Sequence, residues 1–158
     1  YTTYMSKKYW LIKSEEACYS IDDMKNDKKT AWSGIRNYQS RNCILKDMQI
    51  GDLVLFYHSN GKPSGAVGIV KVASKPYPDP TQFDKKDEHF DPKACEDKPI
   101  WYVVDMKYVS KFKRAVTLPE IKIDPKLKGI AVTEKGNRLS VQPVSEKHFD
   151  YVLTLGNN

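Results

Sequence analysis

The chain is organised around one polar and aromatic segment, Trp32-Ser33-Gly34-Ile35-Arg36-Asn37-Tyr38-Gln39-Ser40-Arg41-Asn42. Trp and Tyr offer flat apolar faces, while Asn and Gln offer paired hydrogen-bond donors and acceptors. Arg adds a planar cation that suits phosphates and base edges. Together these side chains are suited to holding a nucleobase. The alternative is a Trp that fills the core beside a polar helix start, because Trp is usually well buried for packing reasons.

Length and charge narrow the class of protein. The chain has 158 residues, of which 40% are hydrophobic and 29% charged, and this suits one domain with a real core. The net charge of +6 favours nucleic acid or another polyanion as a partner. No apolar run approaches the length of a membrane span. The chain starts with Tyr1, so we expect a trimmed fragment whose lost tail could have carried a targeting signal.

No catalytic or metal-binding motif stands out. The three cysteines, Cys18, Cys43 and Cys95, are widely spaced and predict neither a zinc site nor a disulfide framework. The three histidines are scattered, and only His58, at the end of a predicted buried strand, is a candidate ligand-orienting group or base. A buried histidine with satisfied hydrogen bonds is the favoured interpretation of His58. We therefore expect no metal, no cofactor and no catalytic residue.

Apolar runs predict five strands within one domain at residues 9–158, after a flexible lead-in at residues 1–8. Residues 53–58 suit a strand buried on both faces, and residues 66–72 predict its antiparallel neighbour. Gly68 in the second of these strands indicates a bulge or a close backbone approach. Residues 138–142 alternate between polar and apolar, and Pro143 is expected to end that strand. The other predicted strands are residues 9–12 and 100–109.

Capping signals predict short helices between the strands. Ser20 and Asp23 resemble a capping box that opens a helix to about residue 26. Apolar residues at helical spacing predict a second helix over residues 37–48. Residues 117–122 predict a third helix with Pro in its first turn, and Ser145 is expected to cap a closing helix. Residues 75–99 predict a long irregular loop that its aromatic residues hold to the core.

Polar side chains collect where the predicted strands end and around Trp32. A twisted, partly closed sheet would bring these strand ends to one mouth. The side chains concerned are Ser14, Trp32, Asn37, His58, Ser59, Arg138, Ser140 and Gln142. Stacking one base on an aromatic ring is worth about 1–3 kcal/mol, and extracting that base from a duplex costs a similar amount. Edge hydrogen bonds and phosphate contacts must therefore supply the net affinity.

Four motifs in this order resemble the EVE domain family over about residues 9–155. They are Trp10-Leu11-Ile12-Lys13-Ser14-Glu15, residues 32–42, Gly51-Asp52-Leu53-Val54-Leu55-Phe56-Tyr57-His58-Ser59 and Arg138-Leu139-Ser140-Val141-Gln142-Pro143-Val144. The Tyr77-Pro78-Asp79-Pro80 turn and Trp101-Tyr102-Val103-Val104-Asp105 also resemble the family. The resemblance implies an α/β (α+β), PUA-like fold, which is a bent mixed β-barrel flanked by short helices and related to the YTH domains.

The resemblance also implies which residues form the site. The YTH relatives bind a modified base in an aromatic cage, with Lys-Ser after the first strand and a cage Trp before a helix. Lys13, Ser14 and Trp32 resemble those positions. Two further segments, Tyr57-His58-Ser59 and Arg138-Leu139-Ser140, resemble pocket and rim positions of the EVE family.

Two positions depart from the family pattern. Glu16 stands where Pro is usual, and Ser33 stands where Asp is usual. An Asp accepts hydrogen bonds from an exocyclic amine, whereas Ser donates or accepts them. If Ser33 faces the base, selectivity differs from that of the family, and if it faces solvent the change means little.

These observations predict a non-catalytic reader that holds a modified nucleobase, such as a methylated or hydroxymethylated cytosine, in an aromatic pocket. The candidate ligand-binding residues are Ser14, Trp32, Ser33, Asn37, Tyr57, His58, Ser59 and Ser140. The candidates for contact with the nucleic-acid backbone are Lys13, Arg36, Arg41 and Arg138. We expect the partner to be DNA or RNA that carries a modified base, without a membrane or metal partner. The protein is expected to be a nuclear monomer, with cytoplasmic residence as an alternative.

Two other functions stay open. The first is an enzyme that acts on modified nucleotides or RNA, with His58 and either Lys13 or Glu15 as its acid–base set. The second is a protein-interaction module that uses the loop at residues 75–99. For the reader, we expect Trp32→Ala to abolish binding and leave the fold intact. Loss of cooperative unfolding in that variant would instead place Trp32 in the core.

Overall fold

The computed structural model describes residues 8–61, 63–133 and 139–158. Within these residues the strands are β1 (Tyr9–Glu15), β2 (Lys29–Ala31), β3 (Leu53–Ser59), β4 (Gly65–Val72), β5 (Tyr77–Pro78), β6 (Tyr102–Val103), β7 (Asp105–Thr117) and β8 (Val141–Val144). The α-helices are α1 (Ile21–Asp27), α2 (Tyr38–Asn42), α3 (Leu118–Ile123) and α4 (Glu146–Gly156). A π-helical turn at Cys43–Asp47 continues α2, and 3-10 turns cover Pro80–Phe83, Pro125–Leu127 and Ala131–Thr133.

Most of the described strands form one mixed sheet in the order β2-β7-β4-β3-β1-β8. The β1–β3 pair is parallel, and the other neighbours are antiparallel. Register shifts in β4 against both of its neighbours increase the local bend and twist. The sheet curls into a half-barrel flanked by short helices, which confirms the predicted α+β class and bent mixed barrel. A separate small sheet pairs β5 with β6.

Gly68 marks the close approach that the sequence predicts in β4. A Cβ at this position would lie 2.6 Å from the Ser110 carbonyl oxygen and 2.7 Å from Ile21 Cδ1. The register against β7 also shifts here, between Ala66 and Gly68. The missing side chain therefore lets α1 and β7 pack directly on this strand.

The sheet is buried on both faces along β3. Val54 and Phe56 belong to a core cluster that also contains Trp10, and we call it cluster 1. Leu55 and Tyr57 belong to a second cluster on the other face, which we call cluster 2. Because successive side chains of a strand point to opposite faces, this division confirms the predicted strand with two buried faces.

Helix starts follow the predicted caps. Ser20 and Asp23 form the capping box that opens α1. Ser145 accepts a hydrogen bond from the first turn of α4, and Glu120 accepts one from the Thr117 N–H at the start of α3. These side chains satisfy N–H groups that have no partner within the helix. The sequence thus predicted the correct start of each of these helices.

Several predicted strand limits were wrong, and the first strand, predicted at residues 9–12, continues to Glu15. The strand predicted at residues 100–109 is divided at Val104, since β6 pairs with β5 whereas β7 joins the main sheet. β7 then continues to Thr117, because exposed charged residues in its second half obscure the apolar pattern. Pro143 lies inside β8 instead of ending it. β8 is an edge strand, where a missing N–H need not remove a ladder bond.

Some predictions fall outside the described residues. The lead-in at residues 1–8 does so apart from Lys8, whose N–H donates to Asp52 Oδ1 at 3.4 Å. Arg138, in the strand predicted at residues 138–142, also does so. That residues 9–158 form a single domain stays a prediction.

Candidate functional site

The Trp32 side chain is held inside the protein just after β2. It is 9% exposed and belongs to cluster 1. Its ring meets Tyr19 and Phe56 edge-on, with ring centroids 6.0 and 5.6 Å apart. Its backbone N–H donates to the Val104 carbonyl oxygen at 2.9 Å. Loss of the indole must therefore cost core packing as well as any ligand contact, which revises the expectation that Trp32→Ala leaves the fold intact.

Residues at the ends of strands meet beside Trp32. The Ser14 hydroxyl, near the end of β1, donates to the Tyr19 carbonyl oxygen at 2.6 Å, and the Tyr19 ring packs against Trp32. The Lys13 N–H donates to the Ser140 carbonyl oxygen at 2.9 Å, just before β8. A continuous chain of contacts thus joins Ser140 to Trp32. We call Lys13, Ser14, Tyr19, Trp32 and Ser140 the strand-end cluster.

Buried Asp79 fixes the turn between β2 and α2. Its Oδ2 accepts from the Gly34 N–H at 2.8 Å and from Arg36 at 3.1 Å, and its Oδ1 accepts from the Thr81 N–H and hydroxyl at 2.8 and 2.7 Å. Burial raises the pKa of Asp79, but the hydrogen bonds from Gly34, Thr81 and Arg36 outweigh burial and hold the pKa below its ordinary value. Gly34 has a φ of +85°, and a Cβ there would lie 2.9 Å from the His89 ring. The turn therefore requires glycine.

Arg36 uses all five guanidinium donors inside the protein. Its acceptors, at 2.7 to 3.1 Å, are the His89 and Ile35 carbonyl oxygens, the Thr81 hydroxyl and the Asp79 carboxylate. The guanidinium carbon also lies 5.4 Å from the centre of the Trp101 ring. A phosphate could bind only if these bonds broke. Arg36 is therefore a brace of the turn and not the backbone contact that the sequence suggested.

Arg41 lies on α2 beside an exposed aromatic residue. It donates to the Ile100 carbonyl oxygen at 3.1 Å and to Asn42 Oδ1 at 2.9 and 3.2 Å. Its guanidinium carbon is 4.9 Å from the centre of the Tyr38 ring. Tyr38 is 57% exposed and stacks on Trp101, with ring centroids 4.9 Å apart. Among the described residues these bonds use three of the five Arg41 donors, so Arg41 can still contact a phosphate.

Two of the predicted ligand-binding residues lie at the borders of the site, whereas a third does not. Asn37 caps α2, and its Oδ1 accepts from the Ser40 N–H at 3.1 Å. Ser33 is an exposed residue next to Trp32 in the chain. Ser59 is half-buried at the end of β3. Ser33 and Asn37 are compatible with a rim around the strand-end cluster, whereas Ser59 shares the sheet face of the residue two positions before it, Tyr57.

Tyr57 is a predicted ligand-binding residue that lies on the opposite face of the sheet from Trp32. It is buried in cluster 2, whereas Trp32 belongs to cluster 1 on the other face of the sheet. Adjacent residues of a strand point to opposite faces, so Tyr57 does not share a wall with its neighbour His58. We therefore correct the assignment of Tyr57 to the pocket wall. Arg138, the last backbone candidate, lies outside the described residues.

His58 serves as an acceptor at the start of α1. The residue is 6% exposed, and its Nε2 accepts a hydrogen bond from the Ile21 N–H at 3.1 Å. The proton of the neutral ring is therefore on Nδ1. Burial lowers the pKa of His58, Glu16 and Asp22 oppose this shift, and Lys111 adds to it. This environment agrees with the buried structural histidine that the sequence favoured.

The His58 environment is expected to make stability depend on pH. Its pKa is lowered on folding, so the unfolded chain binds the proton more readily. The contribution is complete above the ordinary pKa of 6.5 and is lost as pH falls through the folded pKa. The slope for one proton is at most about 1.4 kcal/mol per pH unit.

Urea unfolding at a series of pH values below 6.5 measures this slope. His58→Gln should remove the His58 part of the slope, because glutamine does not titrate. His148→Gln, a change on α4, should retain it. An unchanged slope in His58→Gln would contradict the assignment.

Sequence reasoning missed two buried polar residues that hold the 75–99 loop to the core. Asp79 and Gln82 are both fully buried. The Gln82 amide donates to the Asp79 and Trp101 carbonyl oxygens at 2.9 and 2.8 Å, and accepts from the Ile100 and Trp101 N–H groups at 2.9 Å. Aromatic residues were expected to hold the loop, and of these Phe83 and Phe90 are half-buried, whereas Tyr77 is exposed and its hydroxyl donates to Asp105. Asp and Gln usually lie on the surface, so only the family-like turn around Asp79 was a signal.

Within residues 8–61, 63–133 and 139–158, no group of three His, Cys, Asp or Glu side chains could hold a metal ion. Cys18, Cys43 and Cys95 are free thiols, of which Cys43 is half-buried. None of the helices described above is long and apolar enough to cross a membrane.

Comparison with known proteins gives this geometry a family context. The EVE domain model matches residues 8–155. Thymocyte nuclear protein 1 from Homo sapiens is 39% identical to the chain over 166 residues, which cover 93% of this chain and 73% of the human protein.

Two solved structures share the fold over most of their length. A hypothetical protein from Leishmania major has a TM-score of 0.91 and 43% identity, with 96% of this chain and 95% of that chain covered. The human THYN1 protein in complex with 5-methylcytosine containing DNA has a TM-score of 0.86 and 38% identity, with 96% and 99% covered. The resemblance found in the sequence motifs is thus confirmed, and the chain belongs to the EVE domain family.

Proposed function

We propose that the protein is a non-catalytic reader that holds a modified nucleobase, such as methylated or hydroxymethylated cytosine, beside Trp32. The strand-end cluster carries this proposal, because the Ser14 hydroxyl binds the Tyr19 backbone and the Tyr19 ring packs against the largely buried Trp32. The likeness of this chain to a human protein seen with 5-methylcytosine containing DNA supports it.

The proposed roles follow from the atoms that each side chain leaves available. Trp32 supplies the apolar plane. The Ser14 hydroxyl proton is used on Tyr19, so its oxygen can accept from an exocyclic amine. Asn37 uses Oδ1 as the cap of α2, which leaves its amide N–H groups to donate to a base. Ser33 is exposed, so we assign it to the edge of the pocket, where its departure from the family pattern is expected to have little effect on selectivity.

The remaining residues have supporting roles in the proposed pocket. Ser140 belongs to its rim, whereas Ser59 shares the sheet face of Tyr57 and lies outside the pocket. His58 is opposite Ser14 in the β1–β3 register and fixes α1 behind it. In this proposal His58 is a positioning residue and does not touch the base.

Contact with the nucleic-acid backbone is assigned to Arg41 beside the pocket, and to Lys13 only outside the pocket, because Lys13 shares the sheet face of Tyr57. Arg41 has donors left over, and hydrogen bonds to ionised groups are stronger than neutral ones. Lys13 is half-buried, and burial lowers its pKa. Arg138 remains a prediction from the sequence. Because the gain from stacking and the cost of extraction are of similar size, these contacts are expected to contribute much of the affinity.

The proposal includes no chemical step. His58 Nε2 is used by α1, and Glu15 Oε1 accepts from Asn60 at 2.8 Å. Lys13 pairs with Tyr57 in the β1–β3 register and shares its face, which is the face opposite His58. These placements support a reader over an enzyme that uses His58 with Lys13 or Glu15. Turnover of a modified nucleotide by the pure protein would contradict the proposal.

Nuclear residence and a monomeric state are part of the same proposal. The relatives carry the name thymocyte nuclear protein 1, which supports the nucleus over the cytoplasm. Imaging of the tagged protein tests the compartment. Size-exclusion chromatography at the concentrations used for binding tests the monomer.

The direct test is binding to a matched oligonucleotide panel. The panel carries cytosine, 5-methylcytosine, 5-hydroxymethylcytosine, adenine or N6-methyladenine in DNA and in RNA, at two salt concentrations. We expect tighter binding to one modified member. Equal and strongly salt-dependent binding to all members would contradict a base reader, because only the basic surface would then be at work.

Asn37→Asp sharpens this test. Asp caps a helix about as well as Asn, so α2 and the unfolding midpoint should be retained. The amide donor is lost and a negative charge is gained, so we expect at least about tenfold weaker binding, the effect of about 1.4 kcal/mol. Asn157→Asp makes the same charge change after α4 and should bind like the unaltered protein. Equal affinity of Asn37→Asp and Asn157→Asp for the modified base would show that Asn37 does not contact it.

A further inference from the structure

Three lysines lie directly opposite one another on adjacent strands. Lys107 of β7 is the register partner of Lys29 on β2 and of Lys71 on β4. Directly paired residues point to the same face of a sheet, and neighbouring strands are about 4.8 Å apart. The three side chains therefore form a line about 10 Å long at the level of their backbones. We call Lys29, Lys71 and Lys107 the lysine row.

The lysine row has little compensation from acidic groups. None of its three members forms an ion pair within the part of the chain that the structure describes. The nearest acidic residue along that face of β7 is Asp105, which accepts a hydrogen bond from the Tyr77 hydroxyl at 2.7 Å. Like charges directly opposite on a sheet are destabilising. The lysine row therefore lowers the stability of the fold, and an acidic residue at position 107 is expected to raise it.

The position of the row relates it to the proposed base site. Lys71 and Lys107 alternate with Val72 and Met106 of cluster 1, so the row faces away from cluster 1 and Trp32. Lys29 nevertheless precedes Trp32 by only three residues, at the edge strand β2. A nucleic acid that leaves the Trp32 side can reach the row by passing this edge.

We propose that the lysine row binds the sugar–phosphate backbone of the nucleic acid beyond the modified base held at Trp32. The row matches a polyanion in charge. Its length of about 10 Å corresponds to about three nucleotide steps of one strand, at about 3.4 Å of axial rise per step. The inference rests on the proposed function for its ligand, but it concerns a separate surface. It predicts a contact that short oligonucleotides cannot make.

The test compares a variant of the row with a variant of equal charge. Lys29, Lys71 and Lys107 are changed together to Gln in one protein. Lys122, Lys128 and Lys147, which are exposed around α3 and α4, are changed together to Gln in the control. Affinity is measured against a duplex of about two helical turns and against a short single strand, both with the preferred modified base, at several salt concentrations.

For the duplex, each phosphate contact contributes about 0.9 to the slope of log affinity against log salt. The row variant should therefore lower that slope by up to about 2.7 and weaken binding about tenfold or more at low salt. The control should change the slope little. Affinity for the short strand should be the same in both variants.

Lys107→Glu is a second test, in which stability and affinity are expected to change in opposite directions. It places an acid between two lysines, so the thermal midpoint should rise by about 2 °C. Affinity for the duplex should fall, because the charge that contacts phosphate is reversed. A structural role for Lys107 would predict changes of the same sign in stability and binding.

The outcomes separate this inference from the proposed function. An unchanged slope in the row variant, with preference for a modified base retained, would overturn the lysine row alone. The row variant could lose salt dependence while the unaltered protein shows no preference for any modified base. That result would support backbone binding by the lysine row and contradict the proposed base reader. Equal effects of the row variant and its control would overturn the row, since only net charge would then matter.

Discussion

Asp79→Ala is expected to lower the free energy of unfolding by about 3 kcal/mol and to weaken binding of the modified base. The buried carboxylate accepts from Gly34, Arg36 and Thr81. Its loss leaves the Arg36 side chain, which is 21% exposed, without its counter-charge, and it releases the turn at Gly34. Urea unfolding measures the first effect, and titration with a modified oligonucleotide measures the second.

Two further variants test whether Asp79 acts through this turn. Asp84→Ala removes an exposed carboxylate from the same loop, one that accepts from the Lys86 N–H. It should change stability by no more than about 0.5 kcal/mol. Arg36→Leu should cost less in the Asp79→Ala background than in the unaltered protein, because the ion pair is already broken. If Asp79→Ala were as stable as the unaltered protein, the proposal that Asp79 stabilises this turn would be wrong.

Trp32→Ala is expected to cost about 3–5 kcal/mol of unfolding free energy and to abolish binding of the modified base. The sequence predicted the loss of binding without a loss of stability. The structure adds the loss of stability, because the indole packs against Tyr19 and Phe56 in cluster 1. Trp32→Phe separates the two effects, since it keeps a ring in the core and reduces the stacking plane. We expect this variant to unfold cooperatively and to bind about tenfold more weakly.

Trp10→Phe is the matched control. Trp10 is buried in the same cluster, and its indole N–H donates to Asp52 at 3.0 Å. The variant should lose stability yet keep its affinity at a temperature where it is folded. Equal losses of affinity in Trp10→Phe and Trp32→Phe would show that stability controls binding. Full affinity in Trp32→Phe would remove Trp32 from the site.

Local sequence patterns predicted most of the fold because they report directly on the local backbone. Ser20 and Asp23 cap a helix within four residues of chain, and β3 shows its two buried faces in one apolar run. The same patterns gave wrong limits where a neighbour decides the outcome. Val104 ends one pairing and begins another, and Pro143 is tolerated because β8 lies at an edge.

The candidate site was only partly predictable. The polar end of β1 could be anticipated, since Ser14 comes after the apolar run of that strand, and Ser140 belongs to a family-like motif. The role of Arg36 and the hydrogen-bond partner of His58 could not, because both involve residues that are distant in sequence. Arg36 binds Asp79 across 43 residues, and His58 accepts from Ile21 across 37. Only the folded backbone shows that these donors and acceptors are already occupied.

The sequence by itself thus determined the element types, the fold class and the family, because periodicity, caps and motifs are properties of neighbouring residues. The tertiary structure decided which polar groups remain free to bind. It uses Arg36 as a brace, turns Tyr57 to the far face and aligns Lys29, Lys71 and Lys107 on three strands. Register and burial decide these facts, and both depend on contacts between segments far apart in the chain.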